Sequence, residues 1–349
     1  MNRIKLGVCG LGMAWERLHR PALERLRDKF EITAVCDRDM NKARAVAEEL
    51  NIPGEAYDDY ETMLNYANIE AVDLMLPIKE NFEGAKAVLK HRKHLIAEKP
   101  FAATVEGAKQ LVKMAKDSGV KVLVAENIRY DEESVLIKSI IEEKKIGNVA
   151  YFIDNHITEF QSEMLSDTFA KTEWRRHPDF KGGAFLDSSI HNIARMRFLF
   201  GDVLSLFGSG RPSEVDFSPY SCITAMLTFK DHIAGFLSHF LIAKETQAPL
   251  VGLRIFGTNG EIYLEDRHCG FLNVSYKSGH HETIKYKPGE GYYHELDNFY
   301  GAVREDKEIV STPEKELGDI QVIFGILSSI ERGESIRAAN KHKLAAAAN

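Results

Sequence analysis

Gly7-Val8-Cys9-Gly10-Leu11-Gly12-Met13-Ala14-Trp15 closes a short apolar run over residues 4–8 and leads into apolar residues at helical spacing over 18–26. A glycine pair between a strand and a helix has a definite mechanical meaning. The first glycine permits a tight turn, and the second lets backbone amides approach a pyrophosphate at the helix N-terminus. Gly10 and Gly12 take these places, and Met13 and Ala14 supply the amides that follow. The third place of the fingerprint is Trp15, which cannot give the close helix–strand approach of a small residue. Glycines also serve plain turns, so the flanking pattern decides the reading.

That pattern alternates. Apolar runs over 31–36, 71–76, 94–97 and 120–125 are separated by helical patterns over 40–50, 82–91 and 104–118, the last with Thr104 placed as a cap. Apolar runs without strict alternation are strands covered on both faces, and strands alternating with helices imply parallel βαβ units. Asp37 ends the second strand 25 residues beyond Gly12, near the offset of about 20 expected for a ribose-binding carboxylate. It favours NAD because it would repel a 2′-phosphate. Arg38 can pair with that phosphate, which keeps NADP open.

Beyond residue 148 the pattern changes. Strand-like runs over 149–158, 203–209, 221–229, 233–241, 250–256, 261–264 and 271–276 are separated by turn signals such as Thr258-Asn259-Gly260 and Ser278-Gly279. A helix is predicted over 185–200, and two more close the chain over 292–304 and 313–332. Strands in series with short connections form an antiparallel sheet. The reading is a doubly wound α/β domain over 1–126 and an α+β domain over 127–342, with 343–349 set aside as a low-complexity tail.

Composition narrows the partners. The 349 residues are 44% hydrophobic, enough for two cores. Forty-five basic against 52 acidic residues give a net charge of -7, which argues against an extended nucleic-acid surface. No run approaches the roughly 18 apolar residues of a membrane span, and the N-terminus lacks a signal-peptide pattern. The four cysteines form no CxxC pair, so reduced thiols and a cytoplasmic location are expected. His91/His94 and His280/His281 have no Cys or carboxylate at ligand spacing, and no metal site is expected.

Two further places carry chemistry. Lys99, in Glu98-Lys99-Pro100, ends a strand of the parallel sheet, where α/β proteins bind ligands, and its charge can stabilise a developing alkoxide. Asp187 and His191 lie four apart, on one face of a helix, just after Gly182-Gly183. A histidine there can exchange a proton with an alcohol or carbonyl, and the aspartate can orient it. Either feature alone also fits a surface lysine or a packed helical pair.

Together with Asn127-Ile128-Arg129-Tyr130, Trp174-Arg175 and Gly257-Thr258-Asn259-Gly260, these motifs resemble the Gfo/Idh/MocA oxidoreductases over most of the chain. The resemblance implies an N-terminal Rossmann domain, a C-terminal domain with a large open sheet, and a homodimer or homotetramer. It makes Lys99 a substrate and nicotinamide-ribose contact, His191 the proton-transfer residue and Asp187 its partner. Gly10, Gly12, Asp37, Pro77, Glu98 and Asn127 become cofactor contacts, and Trp174 and Arg175 substrate contacts. The implied activity is NAD(P)-dependent hydride transfer on a sugar, cyclic polyol or derivative. An NAD-dependent glycosidase and a redox-inactive NAD or sugar-binding regulator are the alternatives. Asn81 departs from the histidine common there, and Ala184 and Ala194 from a third glycine and an aspartate.

Overall fold

The computed structural model describes residues 2–241 and 252–337. Positions 250 and 251 of the strand expected over 250–256, and the 343–349 tail, lie outside the described residues. The described chain forms two compact units, 2–130 with 291–317 and 131–290 with 318–337.

The first unit is a six-stranded parallel sheet. Its strands are β1 (Ile4–Cys9), β2 (Phe30–Cys36), β3 (Ala56–Tyr57), β4 (Ala71–Leu74), β5 (His94–Glu98) and β6 (Val122–Ala125), in the order β3-β2-β1-β4-β5-β6. Every residue of β4 and β6 is buried, as the unbroken apolar runs require of strands covered on both faces. The helices are α1 (Arg20–Arg25), α2 (Met40–Glu49), α3 (Tyr60–Tyr66), α4 (Ile78–Lys90) and α5 (Val105–Ser118). Their ends follow local chemistry. The Asp39 carboxylate accepts the Asn41 and Lys42 amides at the start of α2, and Thr104 Oγ1 accepts the Gly107 amide at the start of α5. Cys9 and Cys36 are register partners on adjacent strands, and both are free and buried.

Before α1, the segment Trp15–His19 is a single π-turn, in which the Arg20 amide reaches back five residues to the Trp15 carbonyl. The wider turn leaves both Trp15 and His19 fully buried. Trp15 fills the core instead of packing closely on a strand as a third glycine would allow. A helix from later in the chain, Gly291–Glu305, completes that core. Its Leu296, Phe299 and Ala302 share one cluster with Leu11, Trp15, Leu23 and Phe30. The sequence reading grouped this helix with the second domain, because short-range periodicity carries no information on which sheet a helix covers.

The second unit contains α6 (Glu132–Glu142), β7 (Val149–Ile157), α7 (Phe160–Leu165), α8 (Glu173–Arg176), α9 (Gly183–Phe200), β8 (Ser205–Pro212), β9 (Tyr220–Thr228) and β10 (Ala234–Phe240). These are followed by β11 (Gly252–Gly257), β12 (Gly260–Leu264), β13 (Phe271–Tyr276) and β14 (His281–Lys285). The Gly291–Glu305 helix is α10, and α11 (Pro313–Arg332) and β15 (Ile336–Arg337) end the described chain. Nine strands pair in the order β14-β13-β12-β11-β7-β10-β9-β8-β15. Among the described residues of this sheet only the β7–β10 pair is parallel. One face is buried, with Phe152 of β7 stacked on Phe200 of α9 at 5.1 Å between ring centroids. The other carries the cross-strand neighbours Phe207, Met226 and Phe236, each 40–43% exposed. Among the described residues no helix is long and apolar enough to cross a membrane.

Candidate active site

The dinucleotide-loop candidates converge at the carboxyl edge of the parallel sheet. Gly10 has φ +91°, and a Cβ there would stand 2.2 Å from the Met75 carbonyl oxygen, so only glycine fits. A Cβ at Gly12 would meet nothing within 4 Å. The backbone at Gly12 therefore borders open space at the helix start, where Met13 and Ala14 follow. Asp37 Oδ2 accepts the Leu11 amide at 2.9 Å, and its Oδ1 accepts the Asp39 amide. This carboxylate shapes the glycine loop directly, a role the offset rule did not supply. Arg38 is exposed and paired with Glu80 at 3.2 Å. Pro77 caps α4 beyond β4, and Asn127 opens a buried single turn after β6. Loop, open space, Asp37 and strand order fit a dinucleotide.

Lys99 follows β5 and its peptide is held from below by buried groups. Glu98 Oε2 accepts the Lys99 amide at 3.0 Å, while Asn81 Nδ2 donates to the carbonyls of Glu98 and Pro100, both at 3.1 Å. Asn81, noted in the sequence only as a departure from histidine, thus clamps the segment that carries the lysine. Glu98 Oε1 lies 3.0 Å from His19 Nε2, and Asp73 Oδ2 lies 2.9 Å from His19 Nδ1. Neither His19 nor Asp73 was legible as part of this site, since nothing local marks them.

Glu295 of α10 is buried against the same cluster, with no hydrogen-bond partner for either carboxyl oxygen. Burial pushes its pKa well above the usual carboxylate value; His19 opposes this, and Glu98, Glu126 and Asp73 add to it. A raised acid holds in the folded state a proton that the unfolded chain releases. Its stabilising share is complete below about pH 4.5 and is lost as pH rises through the folded pKa. Glu295→Gln is therefore expected to lose less stability than the native chain between about pH 5 and 8, measured as urea midpoints at both ends. Equal pH slopes for the two proteins would contradict a protonated Glu295.

In the second unit, Gly183 (φ +49°) brings its backbone against Phe217, where a Cβ would lie 2.4 Å from the carbonyl oxygen, and α9 starts there. Two contacts fix the rotation of α9. Ser188 Oγ lies 3.3 Å from His239 Nε2 of β10, and Asn192 Nδ2 donates to Asp154 Oδ2 of β7 at 2.8 Å. Asp187 and His191 stand one residue before each of these, about 100° around the helix, on a neighbouring stripe. His239 stacks on His156 at 5.0 Å, and burial lowers the pKa of both rings, keeping them neutral. Asp154, Asn192 and His239 were not found from sequence, because only tertiary pairing joins them to the helix.

Asp187 Oδ2 accepts from Arg175 Nε at 2.6 Å, and the guanidinium lies 4.0 Å from the Trp174 ring centroid. Trp174, Arg175 and Asp187 line one crevice with Phe160 and Phe180. The sequence assigned Trp174 and Arg175 to substrate; the structure shows Arg175 engaged with the aspartate itself. Among the described residues no cluster of three His, Cys, Asp or Glu is placed to hold a metal ion.

A parallel sheet in the order 3-2-1-4-5-6, with a glycine loop after its first strand, defines a dinucleotide-binding protein of the Rossmann class. The sequence matches the Gfo/Idh/MocA oxidoreductase family's NAD-binding Rossmann fold over residues 4–126 and its C-terminal α/β domain over 138–337. The chain belongs to this family. An uncharacterized protein of Saccharomyces cerevisiae is 27% identical over 97% of this chain and 99% of its own length. A Thermotoga maritima oxidoreductase structure superposes with a TM-score of 0.85 at 27% identity, covering 97% of this chain and 99% of that one. The NADP-dependent scyllo-inositol 2-dehydrogenase of Bacillus subtilis is 26% identical over 58% of this chain and 53% of that protein.

Proposed function

We propose that the protein is an NAD(P)-dependent dehydrogenase acting on a hydroxyl or keto carbon of a sugar, cyclic polyol or derivative. One observation carries the reading: the glycine loop after β1 and Lys99 after β5 share the carboxyl edge of one parallel sheet, separated by two strand spacings, roughly 10 Å. That span suits a dinucleotide whose pyrophosphate sits on the loop. The nicotinamide, when bound, supplies the hydride chemistry. The protein's own groups then have separate tasks. Lys99 stabilises negative charge on the substrate oxygen. His191 takes or returns the hydroxyl proton, and Asp187, held by Arg175, orients substrate and imidazole. Asp37 at the end of β2 favours NAD, while the exposed Arg38 beside it keeps NADP open. The polyol class is supported by the inositol dehydrogenase among the relatives. The apolar sheet face carrying Phe207, Met226 and Phe236 supports a homo-oligomer.

A panel of inositols, aldoses and anhydrosugars, offered with NAD⁺ and separately with NADP⁺, should produce the NADH absorbance band with at least one compound. NAD⁺ should be the better acceptor. Tight NADH binding without turnover of any panel member would replace the dehydrogenase by a dinucleotide-dependent binding protein.

A further inference from the structure

His19 takes no part in the chemistry proposed for this fold, yet it is among the most completely enclosed polar groups of the first unit. It ends the π-turn that follows the glycine loop, so its position is set by the same backbone that forms the dinucleotide cradle. Each ring nitrogen faces a carboxylate oxygen: Nδ1 meets Asp73 of β4 at 2.9 Å, and Nε2 meets Glu98 of β5 at 3.0 Å. A neutral imidazole has one N–H, and would leave one of these contacts as lone pair against lone pair. Donation from the ring to both facing oxygens requires the doubly protonated imidazole. Burial works against that charge, but the two carboxylates outweigh it and raise the His19 pKa well above its ordinary value. From α10, the Tyr292 ring lies 5.6 Å away, and Glu295 faces the cluster with its carboxyl pKa raised by burial. Glu126, directly after β6, adds a further carboxyl that raises the Glu295 pKa.

The second oxygen of Glu98 accepts the Lys99 amide, and Asn81 binds the carbonyls on either side of that lysine. We propose that His19 is a positioning residue for Lys99: its imidazolium fixes the Glu98 carboxylate, which fixes the lysine peptide, so the turn that seats the dinucleotide loop also sets where the ammonium group stands. This rests on the reading of Lys99 as the residue that meets substrate oxygen. A buried ion pair serving stability alone would be replaceable without effect on the lysine, since such pairs are often neutral when exchanged for other well-packed groups. The relay predicts otherwise.

The full-length protein labelled with [¹⁵N]histidine should show, at a pH above the ordinary histidine value of about 6.5, an imidazolium pattern that disappears in His19→Gln. A neutral tautomer at that position would overturn the proposal. The rate at which trinitrobenzenesulfonate labels Lys99, read by peptide mapping, should change severalfold in His19→Gln while that of exposed Lys113 does not. An unchanged Lys99 rate in the folded variant would also overturn it. With whichever compound the panel shows to be turned over, His19→Gln should lower kcat about 10- to 100-fold with NADH affinity retained, the scale of a misplaced catalytic group. If no compound is turned over, the dehydrogenase reading fails while the spectra and the labelling still decide the relay. If His19→Gln does not fold, Glu98→Gln takes its place, with the same change in Lys99 labelling and a shifted imidazole signal expected.

Discussion

Lys99→Met is expected to lower turnover by at least about 1000-fold while NADH affinity stays within about threefold of the native value. The magnitude follows from the task. A preorganised charge on a developing oxyanion, away from bulk water, contributes about 10²–10³ in rate for a neutral hydrogen-bond donor, and a full positive charge contributes more. Methionine keeps most of the length and apolar volume of the stem and removes only the ammonium group. The peptide at this position is anchored through its N–H to Glu98, and the flanking carbonyls are anchored to Asn81; all three bonds survive the substitution. The loss should therefore appear in kcat and kcat/KM together, as for an interaction made in the transition state. Single-turnover absorbance kinetics and a fluorescence titration with NADH separate the two quantities. A variant retaining more than about a tenth of native turnover would remove Lys99 from the chemistry, and a parallel loss of NADH binding would reassign it to the cofactor.

What could be read from the sequence was what short-range pattern encodes. The five main strands of the parallel sheet, the Thr104 cap and the 313–332 helix came from periodicity and capping chemistry, and β13 was placed at its observed ends. β3 and β15 pair over only two residues, too short for a periodic signal, and β14 is a polar edge strand that resembles a loop. The 127–342 span contains α10, whose apolar face packs in the core of the first unit: Leu296 and Phe299 announce a buried face, not the partner it faces. The site divides the same way. Gly10, Lys99 and the Asp187/His191 pair stand in motifs whose spacing has a mechanical reason. Asp73, Asn81 as a clamp, His239 and Glu295 belong to no motif. They matter because α4, β4, β5 and α10, or α9 and β10, bring them together: the hydrogen bonds around them span 17 to 79 residues of sequence, and Glu295 meets its cluster from α10 without one. Trp15 lies between these cases. The sequence showed that the fingerprint is broken there, and the fold shows the accommodation, a π-turn that sends the indole into the core.

The two glycines of the loop should fail in different ways, and the difference tests whether the loop holds a ligand at all. At Gly10 a side chain is excluded by the protein itself. The positive φ costs an L residue about 1–3 kcal/mol, and the added carbon would overlap the Met75 carbonyl, which β1 and β4 hold in register through the Met75 amide and the Cys9 carbonyl. Gly10→Ala should therefore lower the urea midpoint clearly, whatever binds there. At Gly12 no protein atom lies within 4 Å of the added carbon, so Gly12→Val should fold with a midpoint close to native. The isopropyl group would then occupy the space through which backbone amides reach a pyrophosphate. NADH affinity should fall at least about 100-fold, close to 3 kcal/mol of binding free energy, with thermal unfolding of the unliganded protein unchanged. A Gly12→Val protein that binds NADH as tightly as the native chain would show that the open space beside the loop is not the pyrophosphate site, and the dinucleotide would have to be placed elsewhere on the sheet edge.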